Sequence, residues 1–237
     1  QKEYKAALKT LLATHRGKDD HFSEEEAGSV LVQINAMKMA TAIAKTEAAI
    51  EMVRDTLEQG NKIVVFTTYI EILDRFQEEF GSQAVRLDGS MKPEDRQAAV
   101  DRFQTDPGVT VFLGSTGACK EGLTLTAARE ALFVDMPWVP ADFWQASDRI
   151  YRIGQTGTCN VRALCADGTF DADLFALIDE KKATVEAFEK AARDGKNVDP
   201  EVLAIQHADL RLDIAKRLLK QARKDERAEK KQMGIQG

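Results

Sequence analysis

The stretch Lys62-Ile-Val-Val-Phe-Thr-Thr-Tyr69 decides the fold, because a short apolar strand here runs directly into side chains that carry hydroxyl groups. Amphipathic helices are predicted between most of the strands that follow. Those strands cover residues 84–87, 109–113, 131–135 and 161–165. Continuous apolar runs are typical of strands buried on both faces, and crossover helices favour parallel pairing. The sequence therefore predicts an α/β fold with a mostly parallel sheet and helices on both sides.

Helical patterns flank this region. Apolar residues recur at helical spacing over residues 4–11 and 30–57, and Gly60 is expected to end the second helix. The chain is again predicted to be helical from residue 171 to near its end. We expect three parts: a helical linker or protrusion at residues 1–60, the α/β lobe at 61–170, and C-terminal helices at 171–237.

The composition indicates an ordinary globular protein, with 43% hydrophobic and 30% charged residues and a net charge of −6. Three cysteines without a Cys-x-x-Cys pair favour reduced thiols over a disulfide framework or a zinc site. No metal site is predicted in this chain. The chain has no apolar run long enough to span a bilayer and no signal peptide, so we expect an intracellular protein, cytoplasmic and nucleoid-associated if bacterial. It starts at Gln1 rather than Met, which suggests a fragment of a longer protein.

The charge is uneven along the chain. Residues 211–232 hold 9 Lys and Arg against 4 Asp and Glu. A solvated helix with ion pairs is favoured here over a basic helix that lies along nucleic acid.

Three loops follow predicted strands and are rich in glycine and hydroxyl side chains. They are Thr67-Thr-Tyr69, Asp88-Gly-Ser90 and the segment 114–122. Ligands of parallel α/β sheets bind beyond the carboxyl ends of the strands, and backbone N–H groups in such loops can cradle phosphates. Turns use the same residue types, so the pattern gains weight only because it occurs three times.

Two arginines lie three residues apart in Gln145-Ala-Ser-Asp-Arg-Ile-Tyr-Arg-Ile-Gly-Gln155. We expect a helix that begins at Pro140, carries Arg149 and Arg152 on one face and ends at Gly154. Both guanidinium groups would then point at one anion, and a guanidinium group can bind two phosphate oxygens at once in a bidentate contact. The alternative is a pair of surface arginines bridged to Asp148 or Glu130.

The chain lacks the other half of a nucleotide site. Residues 114–121 faintly resemble a P-loop, but Glu121 follows Lys120 where a P-loop has a Ser or Thr hydroxyl for magnesium. No predicted strand ends in Asp-Glu. The sequence thus offers arginines for a nucleotide without a primary nucleotide pocket.

Six stretches follow one another in a distinctive order: residues 62–69, 86–90, 96–103, 115–128, 135–141 and 145–155. The runs Asp135-Met-Pro-Trp-Val-Pro140 and Arg152-Ile-Gly-Gln155 are the most specific. In this order they resemble the second RecA-like lobe of Swi/Snf-type helicase-like ATPases, over about residues 30–180. Other superfamily-two helicases usually end the last stretch in Gly-Arg rather than Gly-Gln.

The resemblance implies a RecA-like three-layer sandwich with helical extensions at both ends, the C-terminal one resembling the brace of the family. ATP would lie between this lobe and a missing first lobe, which would carry the P-loop and hold Mg²⁺. It implies four ATP-binding residues, Gln145, Gly122, Arg149 and Arg152, of which the two arginines would be catalytic fingers. It implies nucleic-acid contacts at Thr67, Ser90, Ser115, Thr116 and Lys120, and coupling between the two sites through Glu121 and Asp135.

The chain departs from the family pattern at two places. Tyr151 stands where the family usually has His, and Cys119-Lys120 replaces a pair of small residues. Lys120 is either a phosphate contact or a surface lysine. Trp138 and Trp144 are either stacking platforms for bases or, as we favour, residues that pack the arginine helix onto the sheet.

These observations favour the second motor lobe of an ATP-driven translocase on double-stranded DNA. Its partners would be double-stranded DNA and the first lobe, with no membrane, and the chain alone would not hydrolyse ATP. Two alternatives stay open: a strand-separating or RNA-dependent helicase of the wider superfamily, and a non-catalytic module that docks on nucleic acid or on a partner ATPase.

Overall fold

A computed structural model describes residues 2–14, 24–120, 122–194 and 210–232. The strands are β1 (Ile63–Thr67), β2 (Ala84–Leu87), β3 (Val111–Ser115), β4 (Glu130–Phe133) and β5 (Asn160–Ala163). The helices are α1 (Lys2–Thr14), α2 (Glu24–Glu58), α3 (Ile70–Phe80), α4 (Pro93–Thr105), α5 (Pro140–Ser147), α6 (Asp171–Arg193) and α7 (Arg211–Gln232). Short 3₁₀ turns occupy Gly81–Gln83 and Ala118–Lys120.

The five strands form one sheet in the order β2-β3-β1-β4-β5, and all four pairings are parallel. All five predicted strands are present, with bounds shifted by up to two residues. β1 lies at the centre and is buried along its whole length. The predicted parallel α/β sheet is therefore confirmed.

Alternate residues of β1 pack into two separate cores. Val64 and Phe66 join a core with parts of α1, α4, α6 and α7. Ile63 and Val65 face the other way, into a core with α3 and the C-terminal half of α2. Helices thus cover both faces of the sheet, and the three-layer sandwich is confirmed.

Glycine and proline end and begin helices where the sequence predicts. α2 ends just before Gly60, which has φ 76°, and α3 ends at Gly81, with φ 51°. These left-handed conformations cost glycine little because it has no Cβ. Pro93 opens α4 with Glu94 and Asp95 in the first turn, as the helix dipole favours.

The helix that precedes the arginines is shorter than predicted. α5 ends at Ser147, and Arg149 and Arg152 lie in the turns that follow it. The Arg149 carbonyl accepts a hydrogen bond from the N–H of Leu125 (2.9 Å), so a distant segment takes the acceptor that a continuing helix would use. The prediction of both arginines on one helix face is wrong, and Gly154, with φ 104°, forms a turn instead of a helix end.

The flanking helices are joined to the lobe by buried polar contacts. The hydroxyl of Tyr4 in α1 accepts a hydrogen bond from the Phe170 N–H (3.0 Å). Lys45 of α2 forms a buried ion pair with Asp171 at the start of α6 (2.7 Å). The predicted division into three parts stays a prediction, and the helical pattern expected near residues 202–205 lies outside the described residues. None of the described helices is long and apolar enough to cross a membrane.

Candidate functional site

The three predicted loops lie side by side at the carboxyl edge of the sheet. β2, β3 and β1 are neighbours, and their last residues are in register: Leu87 pairs with Gly114, and Thr67 pairs with Ser115. A hydrogen bond from the Thr116 N–H to the Thr67 carbonyl (3.0 Å) extends the contact beyond the strands. The fold therefore collects the hydroxyl-rich loops on one surface.

Asp135 organises the loop that follows β1. Its carboxylate accepts hydrogen bonds from the Thr67 hydroxyl (2.5 Å), the Thr68 N–H (2.9 Å) and the Thr68 hydroxyl (2.7 Å). Thr67 is fully buried, so its hydroxyl supports the loop from within, whereas Thr68 is exposed. Asp135 thus fixes the conformation of a loop that is predicted to meet nucleic acid.

Lys38 of α2 is part of this cluster, and the sequence analysis missed it. Its ammonium lies 2.6 Å from Asp135 Oδ2, and both side chains are only 2% exposed. The ammonium also lies over the rings of Tyr69 (5.4 Å) and Trp138 (5.1 Å). Burial alone would raise the pKa of Asp135, but the Lys38 charge and the threonine hydrogen bonds outweigh it and hold the pKa below its usual value. α2 is thereby joined to the carboxyl edge.

The loop after β2 is held by the Asp88 carboxylate, which is also paired with Arg86 (2.6 Å), and by the Arg96 guanidinium. Asp88 accepts hydrogen bonds from the Ser90 N–H (2.8 Å) and hydroxyl (2.5 Å), and these lower its pKa despite burial. Arg96 of α4 donates to the carbonyls of Met91 (3.0 Å) and Gly89 (3.1 Å). Ser90 itself is exposed at the surface of this loop.

The loop after β3 is tightly packed. Ser115 is half-buried, and Thr116 is buried with a hydroxyl that has no hydrogen-bond partner among the described residues. Cys119 is buried against Gly114, where an added Cβ would lie 2.7 Å from its sulfur. The side chain of Lys120 and the whole of Glu121 lie outside the described residues, so these two predicted contacts have no structural description.

The two arginines differ in environment. Arg149 is only 6% exposed, and its Nε donates to the Cys119 carbonyl (3.1 Å). Arg152 is exposed and donates to the Gly122 carbonyl and the Thr124 hydroxyl, each at 3.4 Å. Burial, and next the positive charge of Arg152, lower the pKa of Arg149. The two arginines thus differ: Arg149 is held inside the lobe, whereas the Arg152 guanidinium lies at the surface.

Arg152 lines one open cavity and is hydrogen-bonded to two residues that line a second. One, of about 680 Å³, is lined by Asp148, Tyr151, Arg152, Ile153 and Gln155. The other, of about 520 Å³, lies between α4 and the segment Gly122-Leu-Thr124. Gly122 contributes to the second cavity and accepts the Arg152 hydrogen bond, whereas Gln145 lies half-buried on α5.

Trp138 is a packing residue, but its ring and Nε1 contact α2 and Phe170, whereas the sequence predicted packing of the arginine helix onto the sheet. Its ring stacks on Phe170 at 5.7 Å, and its Nε1–H donates to the Asn35 side chain (2.9 Å). These contacts join α2 to the start of α6. Trp144 is half-buried on α5, and its Nε1 has no hydrogen-bond partner among the described residues.

Comparison with known proteins places this surface in context. Residues 44–154 match the family described as helicase conserved C-terminal domain. The chain is 35% identical over 157 residues to mouse (Mus musculus) "DNA annealing helicase and endonuclease ZRANB3". The matched region covers 65% of this chain and 15% of that protein. It is 39% identical over 145 residues to Xenopus tropicalis "SWI/SNF-related matrix-associated actin-dependent regulator of chromatin subfamily A-like protein 1", covering 60% of this chain and 15% of that protein. The chain therefore spans about 15% of the length of these relatives.

A solved structure shares the fold. The "Sulfolobus solfataricus SWI2/SNF2 ATPase core in complex with dsDNA" superposes with a TM-score of 0.62 at 23% identity, over 87% of this chain and 47% of that one. The RecA-like lobe predicted from the sequence is thus confirmed as a fold.

Proposed function

This chain carries the helicase conserved C-terminal domain of a Swi2/Snf2-type ATPase, and we propose that it is the second motor lobe of an ATP-driven translocase on double-stranded DNA. In this proposal the lobe supplies arginines to an ATP bound on a first lobe and grips the DNA backbone with its own loops. The observation that carries the proposal is the arginine turn, residues 148–157, where the exposed Arg152 lines an open cavity and the buried Arg149 is bonded to the Cys119 carbonyl.

The arginine turn fits a polyphosphate. A guanidinium binds phosphate oxygens bidentately, and the exposed Arg152 lines a cavity that is open to a ligand with several negative charges. We assign direct contact with the transferred phosphoryl group to Arg152, because its side chain is exposed. The side chain of Arg149 is bonded to the Cys119 carbonyl, so it fixes the turn and adds positive potential from inside the lobe. Gln145 and Gly122 are the further ATP contacts of the proposal.

The first lobe completes the nucleotide site. No P-loop occurs in this sequence, so the proposal assigns the P-loop and the Mg²⁺ ligands to that lobe. Mg²⁺ there would neutralise charge on the β- and γ-phosphates, and the arginines here would stabilise charge that develops during transfer. The 237-residue chain alone is accordingly expected to have no ATPase activity.

The hydroxyl-rich loops suit a phosphate backbone. Ser90 is exposed and Ser115 half-buried, so their side chains are the described candidates for direct contact. Thr67 and Thr116 are buried and would contribute by shaping the loops, since the Thr116 N–H is bonded to the Thr67 carbonyl. Lys120 is assigned a phosphate contact in the same loop. Such contacts position a duplex without reading its sequence, and a solved ATPase core of this fold is a complex with double-stranded DNA.

The loops that would grip DNA and the arginine turn are connected by hydrogen bonds, which supports coupling between them. Asp135 fixes the β1 loop, and the β3 loop is bonded to Arg149 through the Cys119 carbonyl. Glu121 follows Cys119 by two residues in the sequence. Closure of the two lobes on ATP would move the arginine turn and the loops together, which would advance the grip along one strand.

The test is steady-state ATPase activity of the longer polypeptide that holds both lobes, with and without duplex DNA. Arg152→Ala is expected to lower kcat by about 10³-fold or more, the usual effect of an arginine finger. Arg75→Ala is the matched control, because Arg75 is a half-buried arginine of α3 paired with Glu47 and Glu79. An Arg152→Ala enzyme with wild-type kcat would refute the finger assignment.

A second comparison tests the nucleic acid. Duplex DNA should stimulate the ATPase more than single-stranded DNA or RNA, and the stimulation should fall as salt rises. Stronger stimulation by RNA or by single strands would favour the wider helicase superfamily. No stimulation by any nucleic acid would favour a docking module.

A further inference from the structure

The Gln155 side chain is bonded to five backbone groups. The two N–H donors of its Nε2 are shared among three carbonyls, and its Oε1 accepts from two N–H groups. The carbonyls are those of Thr126 (3.1 Å), Ala128 (2.9 Å) and Ile150 (3.3 Å), and the N–H groups are those of Thr156 (3.1 Å) and Gly157 (3.2 Å). Both ends of the amide are thus in use, which makes the side chain a connector between backbone segments.

The segments it connects are the arginine turn, residues 148–157, and the preceding segment 122–128. Neither segment is regular helix or strand. Beyond the Gln155 amide, the backbone bond from the Leu125 N–H to the Arg149 carbonyl (2.9 Å) joins them, and the bond from the Gln155 N–H to the Arg152 carbonyl (2.9 Å) closes the turn. An irregular turn has no repeating hydrogen bonds of its own, so its conformation depends on such connections.

The position of Arg152 depends on that turn. Its own contacts with Gly122 and Thr124 are both 3.4 Å long, at the weak limit for hydrogen bonds. The backbone that Gln155 holds therefore sets where the guanidinium can reach. A catalytic group displaced by about 1 Å can cost on the order of 10²-fold in rate.

We propose that Gln155 is a positioning residue for Arg152, whose amide fixes the arginine turn against the segment 122–128. The proposal rests on the proposed function, since it needs Arg152 to act on the nucleotide. It also gives a physical reason for the Gly-Gln ending of this motif, because a carboxylate or a shorter side chain at residue 155 would not offer the same two donors and two acceptors.

Gln155→Glu tests the donors with almost no change of shape. The carboxylate can still accept from Thr156 and Gly157, but it sets a negative oxygen against three carbonyls. Gln77→Glu is the matched control: Gln77 is a half-buried glutamine of α3 whose Nε2 donates to the Gly81 carbonyl (2.8 Å). Should the charged variant fail to fold, Gln155→Ala removes the same hydrogen bonds without adding a charge.

The experiment is a double-mutant cycle on ATPase activity in the two-lobed polypeptide, with Gln155→Glu and Arg152→Ala alone and combined. Gln155→Glu should lower kcat by about 10- to 100-fold and change KM for ATP much less. In the Arg152→Ala background it should change kcat by less than about 2-fold, because its effect passes through the arginine.

The outcomes separate the two proposals. Equal effects of Gln155→Glu in both backgrounds would show a general structural role and overturn the positioning role. Wild-type kcat for Gln155→Glu beside an inactive Arg152→Ala would reject the positioning role alone. Wild-type kcat for Arg152→Ala would overturn the proposed function and the positioning role with it.

Discussion

The buried pair Lys38–Asp135 should be among the most sensitive points of the fold, and Asp135→Asn tests it. The two charged groups lie 2.6 Å apart, and each side chain is 2% exposed. The neutral amide would leave the Lys38 ammonium buried without its counter-charge. Removal of one partner from a buried ion pair typically costs about 3–5 kcal/mol of the free energy of unfolding.

That loss is large compared with the total stability of a domain, which is about 5–15 kcal/mol. For a chain of this size each kcal/mol lowers Tm by about 2–4 °C, so Tm should fall by about 6–20 °C. Urea unfolding of the 237-residue chain, followed by circular dichroism, should show a lower midpoint with an unchanged m-value. Glu47→Gln, in the exposed pair with Arg75, is the control and should leave the midpoint unchanged.

A loss below about 1 kcal/mol for Asp135→Asn would refute the reasoning, because it would mean that the buried charge is not held by its partner. The double variant Lys38→Met, Asp135→Asn should recover part of the loss, since no unpaired charge is left. The pH dependence gives an independent check. The pKa of Asp135 is lower in the folded chain than its ordinary value of 3.8, so its contribution is complete at neutral pH and is lost as pH falls below about 4. In Asp135→Asn this part of the fall in the free energy of unfolding at acid pH should be absent.

Three further changes test the packing. Gly114→Ala should cost about 1–3 kcal/mol of the free energy of unfolding, because the new Cβ would lie 2.7 Å from the Cys119 sulfur. Adding Cys119→Ala to this variant should restore stability, as measured by urea titration. Burial raises the pKa of Cys119 to about 12. Its thiol should therefore react with an aromatic disulfide reagent at pH 8 only after unfolding, whereas the exposed Cys165 should react in the native chain. Equal reaction rates for the two thiols would contradict this prediction. Tyr4→Phe should cost about 1–3 kcal/mol in a thermal melt, because it leaves the buried N–H of Phe170 without an acceptor, and an unchanged melt would show that water replaces the hydroxyl.

The sheet could be predicted from the sequence because its signals are local. The central strand β1 is a short, fully buried apolar run, and the glycines that end α2 and α3 act within one helical turn. The placement of the three loops on one edge followed from parallel pairing alone, since parallel strands end at the same edge. These inferences required no knowledge of which side chains meet.

The arginine turn could not be predicted because distant backbone determines it. The segment from Gln145 to Arg152 has good helical spacing, but the Leu125 N–H and the Cys119 carbonyl bond to Arg149 and end the helix at Ser147. Tertiary contacts of this kind override local propensity. Lys38 left a weak signal: it lies seven residues before Lys45, so both fall on the same side of a helix whose neighbouring residues are buried.

The placement of the arginines also constrains how the proposed motor would transmit force. The β3 loop begins at the carboxyl edge, where Thr116 is bonded to Thr67, and three residues later the Cys119 carbonyl is bonded to Arg149. The proposed DNA grip and the proposed nucleotide contact are therefore joined by a few backbone bonds. Such a short connection favours motion of the edge and the arginine turn as one body, so the large conformational change of the cycle should occur between the lobes and not within this one. Gln155 stiffens that body from the opposite end, which is why its loss should affect turnover more than nucleotide binding.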